Sequence, residues 1–242
     1  MIKLKNEGLD NDPTITSEDS RLTLNEVVAQ AFVFFIAAFE TSASTMALCL
    51  YELSKNQKAQ RKLQREMDQV AEKCGDEGLN YDLISDLKYL DCCIDETLRK
   101  YPPAPFLMRE CVKSYKIPRS GLVIDKGTQV IISNYGIQRD PDIYADPLTF
   151  KPERFLDSPS GGATGKGCVY LPFGDGPRMC IGMRMGKLIA KIGLYMLLTK
   201  FNFGFDGATP KGELAFSPKQ FVLTLKNELY LKASLRKPRI IE

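Results

Sequence analysis

The 242-residue sequence has no histidine and no tryptophan, and its charge is nearly balanced, with 33 Lys+Arg against 30 Asp+Glu for a net +3. Without histidine there can be no Ser-His-Asp triad, no Cys-His pair, no His-ligated zinc and no His-ligated haem. Metal chemistry has to run through cysteine or carboxylate. The small net charge gives no strong pull towards nucleic acid or an anionic membrane, so nucleic acid is not expected as a partner. Long apolar runs are also scarce. Residues 31–39 form nine apolar residues between Gln30 and Glu40, where a bilayer span needs about 20. On that count the chain does not cross a membrane by itself. Residues 1–10 are charged and mixed, without the apolar core of a secretory leader. Seven cysteines, an odd number with no CxxC pair, favour reduced, cytosol-facing thiols over a disulfide framework.

The 44% hydrophobic content is that of a globular chain. Residues 1–20 read as a polar loop or frayed end. Thr23-x-x-Glu26 has the form of a capping box, and no Pro or Gly interrupts residues 24–74. Residues 27–53 are apolar nearly all round, which predicts burial on most faces. Residues 55–73 are charged and amphipathic, so two helices with a break at residues 54–57 are expected. A turn follows at 75–80, then a helix over 86–100 stopped by Tyr101-Pro102-Pro103. Short β-prone runs fill 104–133, and residues 139–171 are Pro-, Gly- and Asp-rich with little regular pattern. A helix over 182–200 and β-prone runs over 202–233 complete a mainly α chain with small β-sheets (α+β), read as one partial domain over 1–242.

The most informative segment is Phe173-Gly174-Asp175-Gly176-Pro177-Arg178-Met179-Cys180-Ile181-Gly182. Gly174, Gly176 and Pro177 build a rigid turn whose backbone can approach a flat ligand. The next helix is expected to start at about Cys180 or Ile181, so the positive end of its dipole would favour thiolate. Arg178 adds a fixed cation, and Gly182 permits close packing against a planar neighbour. Such a thiol suits a nucleophile or a metal ligand; a structural cysteine beside a turn is the plain alternative.

The string Phe173-x-x-Gly176-x-Arg178-x-Cys180-x-Gly182 resembles the haem-binding signature of the cytochrome P-450 monooxygenases at every fixed position. Three further motifs follow the family's order: Glu96-Thr97-Leu98-Arg99 resembles its Glu-x-x-Arg pair, Pro152-Glu153-Arg154-Phe155 the Arg-bearing segment that completes it, and Ala37-Ala38-Phe39-Glu40-Thr41-Ser42 the dioxygen-activating stretch of its long central helix. The resemblance covers essentially the whole chain, with details like those of insect microsomal, xenobiotic-metabolising members. It implies a cytochrome P-450 fold, of which this chain is the C-terminal, haem-ligating half: central helix 24–54, Glu-x-x-Arg helix 86–100, irregular segment 139–171, haem loop 173–182, and a C-terminal helix with β turns over 182–242.

The resemblance further implies haem b (iron protoporphyrin IX) with Cys180 as metal ligand, and cofactor contacts from Ala37, Arg109, Phe173, Gly174, Arg178 and Gly182. Glu40 and Thr41 become the catalytic pair that assists proton delivery. Alone, Thr41 would be read as a hydroxyl bonding back to its own helix. Glu96, Arg99 and Arg154 become a buried structural clamp; Glu96 and Arg99 alone would be read as a solvated i, i+3 pair. Ala38 stands where the family usually has Gly. Gln138 stands where a His often serves as a further propionate partner. Val33, Ile36, Ala37, residues 104–107 and residues 221–223 are expected to wall a pocket for a lipophilic small molecule. The implied electron donors are NADPH–cytochrome P-450 reductase, facing cations such as Lys187, and cytochrome b5 as an optional second donor. The implied location is the cytosolic face of the endoplasmic reticulum membrane, with membrane association only through the absent N-terminal half. Without that half the chain is not expected to be a competent monooxygenase. The competing readings are a non-catalytic truncated fragment and a haem-thiolate isomerase; Thr41 argues against the isomerase.

Overall fold

The computed structural model describes residues 22–74, 80–158, 168–210 and 212–236. The expected turn at 75–80 and the loop at 1–20 therefore lie almost wholly outside the described residues. The chain forms two compact units, Met1–Thr41 and Ser42–Glu242.

Helix α1, Leu24–Lys55, starts in the first unit. Its capping box is formed: the Thr23 backbone N–H and hydroxyl both donate to Glu26 Oε2, at 2.7 and 2.8 Å, and Glu26 N–H donates to Thr23 Oγ1 at 3.3 Å. The first unit departs from the expected burial. Phe32, Phe35 and Phe39 are 62%, 70% and 71% exposed, and Leu24, Val28, Val33 and Ile36 are exposed as well. An apolar pattern signals a demand for burial, but the covering surface must come from elsewhere, and the pattern does not contain it. The nine-residue count also needs correction: α1 is long and apolar enough to cross a membrane by length and composition alone. Alanine, serine, threonine and one glutamate do not interrupt its apolar average as they interrupt a contiguous run.

In the second unit, residues 42–54 of α1 are largely buried. The helix breaks at Asn56, whose side chain accepts Ala59 N–H at 3.1 Å and so caps α2, Gln57–Cys74. Ala59, Leu63, Met67 and Val70 form the buried stripe of this otherwise charged helix. Short α3 (Tyr81–Ser85) leads to α4 (Lys88–Lys100), which is buried along most of its length. The helix expected over 86–100 thus begins two residues later, because Asp86 caps α3. These helices share one core with α6, Met183–Leu198. A Cβ placed on Gly193 of α6 would meet the end of the Met46 side chain from α1, which would have to move aside for it.

Among the described residues, three two-stranded antiparallel sheets accompany the helices. Strands β1 (Leu107–Glu110) and β4 (Gln129–Ile132) pair with Arg109 opposite Val130. Strands β2 (Tyr115–Lys116) and β3 (Val123–Ile124) make the second sheet, and β5 (Phe201–Phe205) and β6 (Leu231–Leu235) the third. Buried Gln60 fixes the third sheet to α2: its amide donates to Leu53 O and Phe203 O and accepts Phe203 N–H, leaving none of these groups unpaired. Helix α5 (Asn134–Ile137) follows β4. Among the described residues of 139–171, regular structure is confined to a 3-10 turn, Pro152–Phe155. The fold class is mainly α with small β-sheets.

Candidate functional site

The 139–171 segment is not held by a ladder of its own, so its backbone polar groups need partners elsewhere. Buried side chains of α4 supply them. Glu96 and Arg99 are both fully buried. The Arg99 fork donates to both Glu96 oxygens, from Nε at 2.7 Å and Nη2 at 3.0 Å, and to the carbonyls of Gln138 and Pro147, each at 2.7 Å. Glu96 Oε1 also accepts Lys151 N–H at 2.9 Å and lies 3.4 Å from Arg154 Nε. That last contact is a charge contact without hydrogen-bond geometry; Arg154 donates instead to Asp146 O at 2.9 Å. The three clamp residues therefore meet, with the Tyr144 ring against the Arg99 guanidinium at 5.2 Å.

Gln138 extends this network towards the glycine loop. Its Nε2 donates to Leu98 O at 3.1 Å and Arg99 O at 3.0 Å, and its Oε1 accepts Leu171 N–H at 2.8 Å. The expected propionate role for position 138 is overturned: both amide donors and the amide oxygen are already spent, and the residue is fully buried. A side chain that receives the α4 C-terminal carbonyls serves the helix end rather than a cofactor edge.

Asp95 braces both ends of the loop. Tyr170, just before it, donates to Asp95 Oδ1 at 2.9 Å, and Lys187, one turn into α6, lies 2.6 Å from the same oxygen. Lys187 is thus paired with Asp95 while its side chain stays 30% exposed. Neither brace was read from the sequence. Asp95 sits beside the Glu-x-x-Arg string but has no spacing relation to Tyr170 or Lys187.

Between these braces the loop turns tightly. Gly174 and Gly176 have φ of +72° and +76°, the left-handed region that disfavours any side chain. Gly174 N–H donates to Leu171 O at 3.0 Å, and Cys180 N–H donates to Phe173 O at 2.8 Å, closing the turn on itself. Asp175 caps the 3-10 turn Gly176–Arg178 by accepting Gly176 N–H at 2.8 Å, and it also accepts the Cys168 thiol proton at 3.0 Å. That bond raises the Cys168 thiol and lowers the Asp175 carboxyl relative to their ordinary values. Phe173 packs against the core, while Arg178 and Cys180 are exposed. A Cβ on Gly182 would stand 3.8 Å from Cys180 Sγ, and one on Gly174 would stand 3.8 Å from Arg109 Nη2. Arg109 therefore lies beside the loop although it comes from β1. The following helix begins at Met183, not at Cys180 or Ile181, with Gly182 at its cap. The thiol sits just outside the first turn because glycine and the Cys180–Met183 turn delay helical pairing.

In the first unit, Ala37 and Glu40 are exposed, and the Thr41 hydroxyl donates to Ala37 O at 2.5 Å. In the second, the two expected pocket walls of that unit meet: Leu223 N–H donates to Pro103 O at 2.9 Å, and the rings of Phe106 and Phe221 lie 5.6 Å apart.

The donor chemistry fits haem. Among the described residues no three His, Cys, Asp or Glu side chains cluster to hold a metal. A single exposed thiol can keep a metal only if the remaining ligands arrive with it, as they do in a porphyrin. The cradle formed by Gly174, Gly182 and Arg109 leaves open the space that side chains at those glycines would fill.

A mainly α chain whose buried carboxylate–guanidinium clamp steadies an exposed cysteine loop has the layout of a haem-thiolate protein. A model of the family described as Cytochrome P450 matches residues 5–232. Among curated relatives, "Probable cytochrome P450 6a14" of Drosophila melanogaster is 48% identical over 211 residues, covering 87% of this chain and 41% of that protein. "Cytochrome P450 6a8" of the same fly is 46% identical over 236 residues, 96% of this chain and 45% of the relative. "Cytochrome P450 6A1" of Musca domestica is 40% identical over 235 residues, 96% and 46% respectively. The chain belongs to the cytochrome P450 family, whose members bind haem as cofactor. It spans less than half the length of these relatives.

Proposed function

We propose that the chain is the thiolate-presenting part of a haem monooxygenase that inserts one atom of dioxygen into a lipophilic substrate. Electrons would come from NADPH through NADPH–cytochrome P-450 reductase, with cytochrome b5 as an optional second donor. The observation that carries this reading is the exposed Cys180 thiol, presented by a closed glycine turn, with no cluster of three metal-binding side chains among the described residues. Family membership supports it.

In this reading Cys180 ligates the iron, Arg109 and Arg178 neutralise the propionates, and Phe173, Gly174, Gly182 and Ala37 contact the macrocycle. When bound, haem would supply the oxygen chemistry, with Cys180 as its thiolate ligand. The chain's residues hold and supply. The 2.8 Å bond from Cys180 N–H to Phe173 O fixes where the sulfur is presented. Glu96, Arg99 and Arg154 keep the preceding segment in place. Thr41 carries a hydroxyl proton, now resting on Ala37 O, and the neighbouring Glu40 carboxylate is placed in sequence to resupply it. The apolar residues Phe106 and Phe221 suit a lipophilic substrate. A xenobiotic-metabolising enzyme at the cytosolic face of the endoplasmic reticulum is the corresponding biological assignment, supported by the insect relatives.

Cys180→Ser in the haem-loaded protein tests the ligation. The reduced carbon monoxide complex should lose its thiolate-type Soret band, while the unfolding free energy of the haem-free chain stays within about 0.5 kcal/mol of wild type because the residue is exposed. An unchanged Soret band removes Cys180 from the iron.

A further inference from the structure

Several cations of the second unit are paired: Lys62 with Glu153, Lys191 with Asp91, Arg236 with Asp68, Arg139 with Glu213. A group at the α1–α2 break is different. Lys55, Lys58 and Arg61 line an open cavity of about 570 Å³ together with Lys100, and among the described residues no carboxylate forms an ion pair with the first three. The one acid in the lining, Glu52, is 2% exposed and already accepts from Lys100 Nζ at 2.8 Å and Tyr101 OH at 2.5 Å. A second recess of about 70 Å³ shares Lys55, Lys100 and Leu148 with it and adds the Arg139–Glu213 ion pair. Like charges gathered on one surface repel one another and attract an anion that settles among them.

We propose that this recess, remote in sequence from the cysteine loop, binds a soluble organic ligand carrying two or more phosphate groups. Lys58 and Arg61 line the recess with Lys55, whose ammonium also lies 5.1 Å from the Tyr51 ring centroid, and Asn56 adds an amide whose oxygen is spent on Ala59 N–H. The Arg61 fork matches phosphate oxygens, and the lysines act as point charges beside it. Leu148 and Phe150 give the wall an apolar part for the organic portion. The volume is that of a small-molecule site.

Calorimetric titration of the haem-loaded protein with inorganic pyrophosphate tests the site. One-to-one binding that weakens with added salt is expected. The double variant Lys58→Ser/Arg61→Ser should weaken it by at least about tenfold, the scale of one lost charge-assisted bond. The control Lys116→Ser/Lys126→Ser, on the exposed β2–β3 side, should bind as wild type does. All four positions are exposed, so unfolding midpoints should not move; if the double variant misfolds, Lys55→Ser carries the same comparison. Absence of pyrophosphate binding overturns the proposal. So does an equal loss in the control, or binding to vesicles containing phosphatidic acid without binding to pyrophosphate.

Discussion

Arg99 and Cys180 belong to two regions built in opposite ways. Arg99 is fully buried and donates to four oxygens, two on Glu96 and the carbonyls of Gln138 and Pro147. Cys180 is exposed, and its turn is closed by backbone bonds and two left-handed glycines. One region spends buried charge to fix irregular backbone; the other keeps a reactive atom uncovered. The difference teaches that an exposed loop can be held in place from outside itself, through Leu171, Tyr170 and Lys187, without burying the group it presents.

Arg99→Ala strikes the rigid side hardest. It leaves Glu96 buried without its fork, and the expected destabilisation is about 3–5 kcal/mol by denaturant unfolding. A loss below about 1 kcal/mol would mean that the two regions do not differ in the way described. Gln138→Ala is expected to be next. It strands the carbonyls of Leu98 and Arg99 and the N–H of Leu171, for about 2–3 kcal/mol. The same unfolding curve measures it, and Gln138→His should recover part of the loss.

Gly174→Ala probes the exposed side. A side chain at φ +72° costs about 1–2 kcal/mol. The cost should appear in haem affinity as well as stability, because relief of the alanine's strain would distort the turn that presents Cys180. Equal haem retention in the two proteins would separate turn geometry from cofactor binding.

The smallest effect concerns pH. Burial holds the Glu66 carboxyl above its ordinary 4.5, outweighing the N–H groups of Tyr89 and Leu90 that donate to it at 2.8 and 3.1 Å and the positive charge of Lys191. A raised folded-state value means the fold binds this proton more tightly than the unfolded chain does. Wild type should therefore gain stability relative to Glu66→Gln as the pH falls from about 7 towards 4.5. Thermal midpoints across that range check the sign; a gap that narrows on acidification contradicts it.

Several features were readable in advance because they are local. The Thr23/Glu26 capping box, the break at Asn56 and the stop after Lys100 each depend on residues within one turn of each other. The pairing of Glu96 with Arg99 follows from i, i+3 spacing on a helix. Other features were misread or missed because their partners lie far along the chain. The partners of Gln138 were not readable in advance: its acceptor serves Leu171 and its donors serve α4. Nor was the pairing of Lys187 with Asp95. The first half of α1 was expected to be buried and is open.

The order and type of the elements, the left-handed glycine turn and the single thiol it carries were determined by the sequence, since backbone propensity and short spacing act over a few residues. The tertiary structure alone decided which buried groups satisfy one another, which cations are left unpaired, and which apolar faces are covered. Those outcomes depend on surfaces brought together from distant parts of the chain, where desolvation makes every unpaired polar group costly.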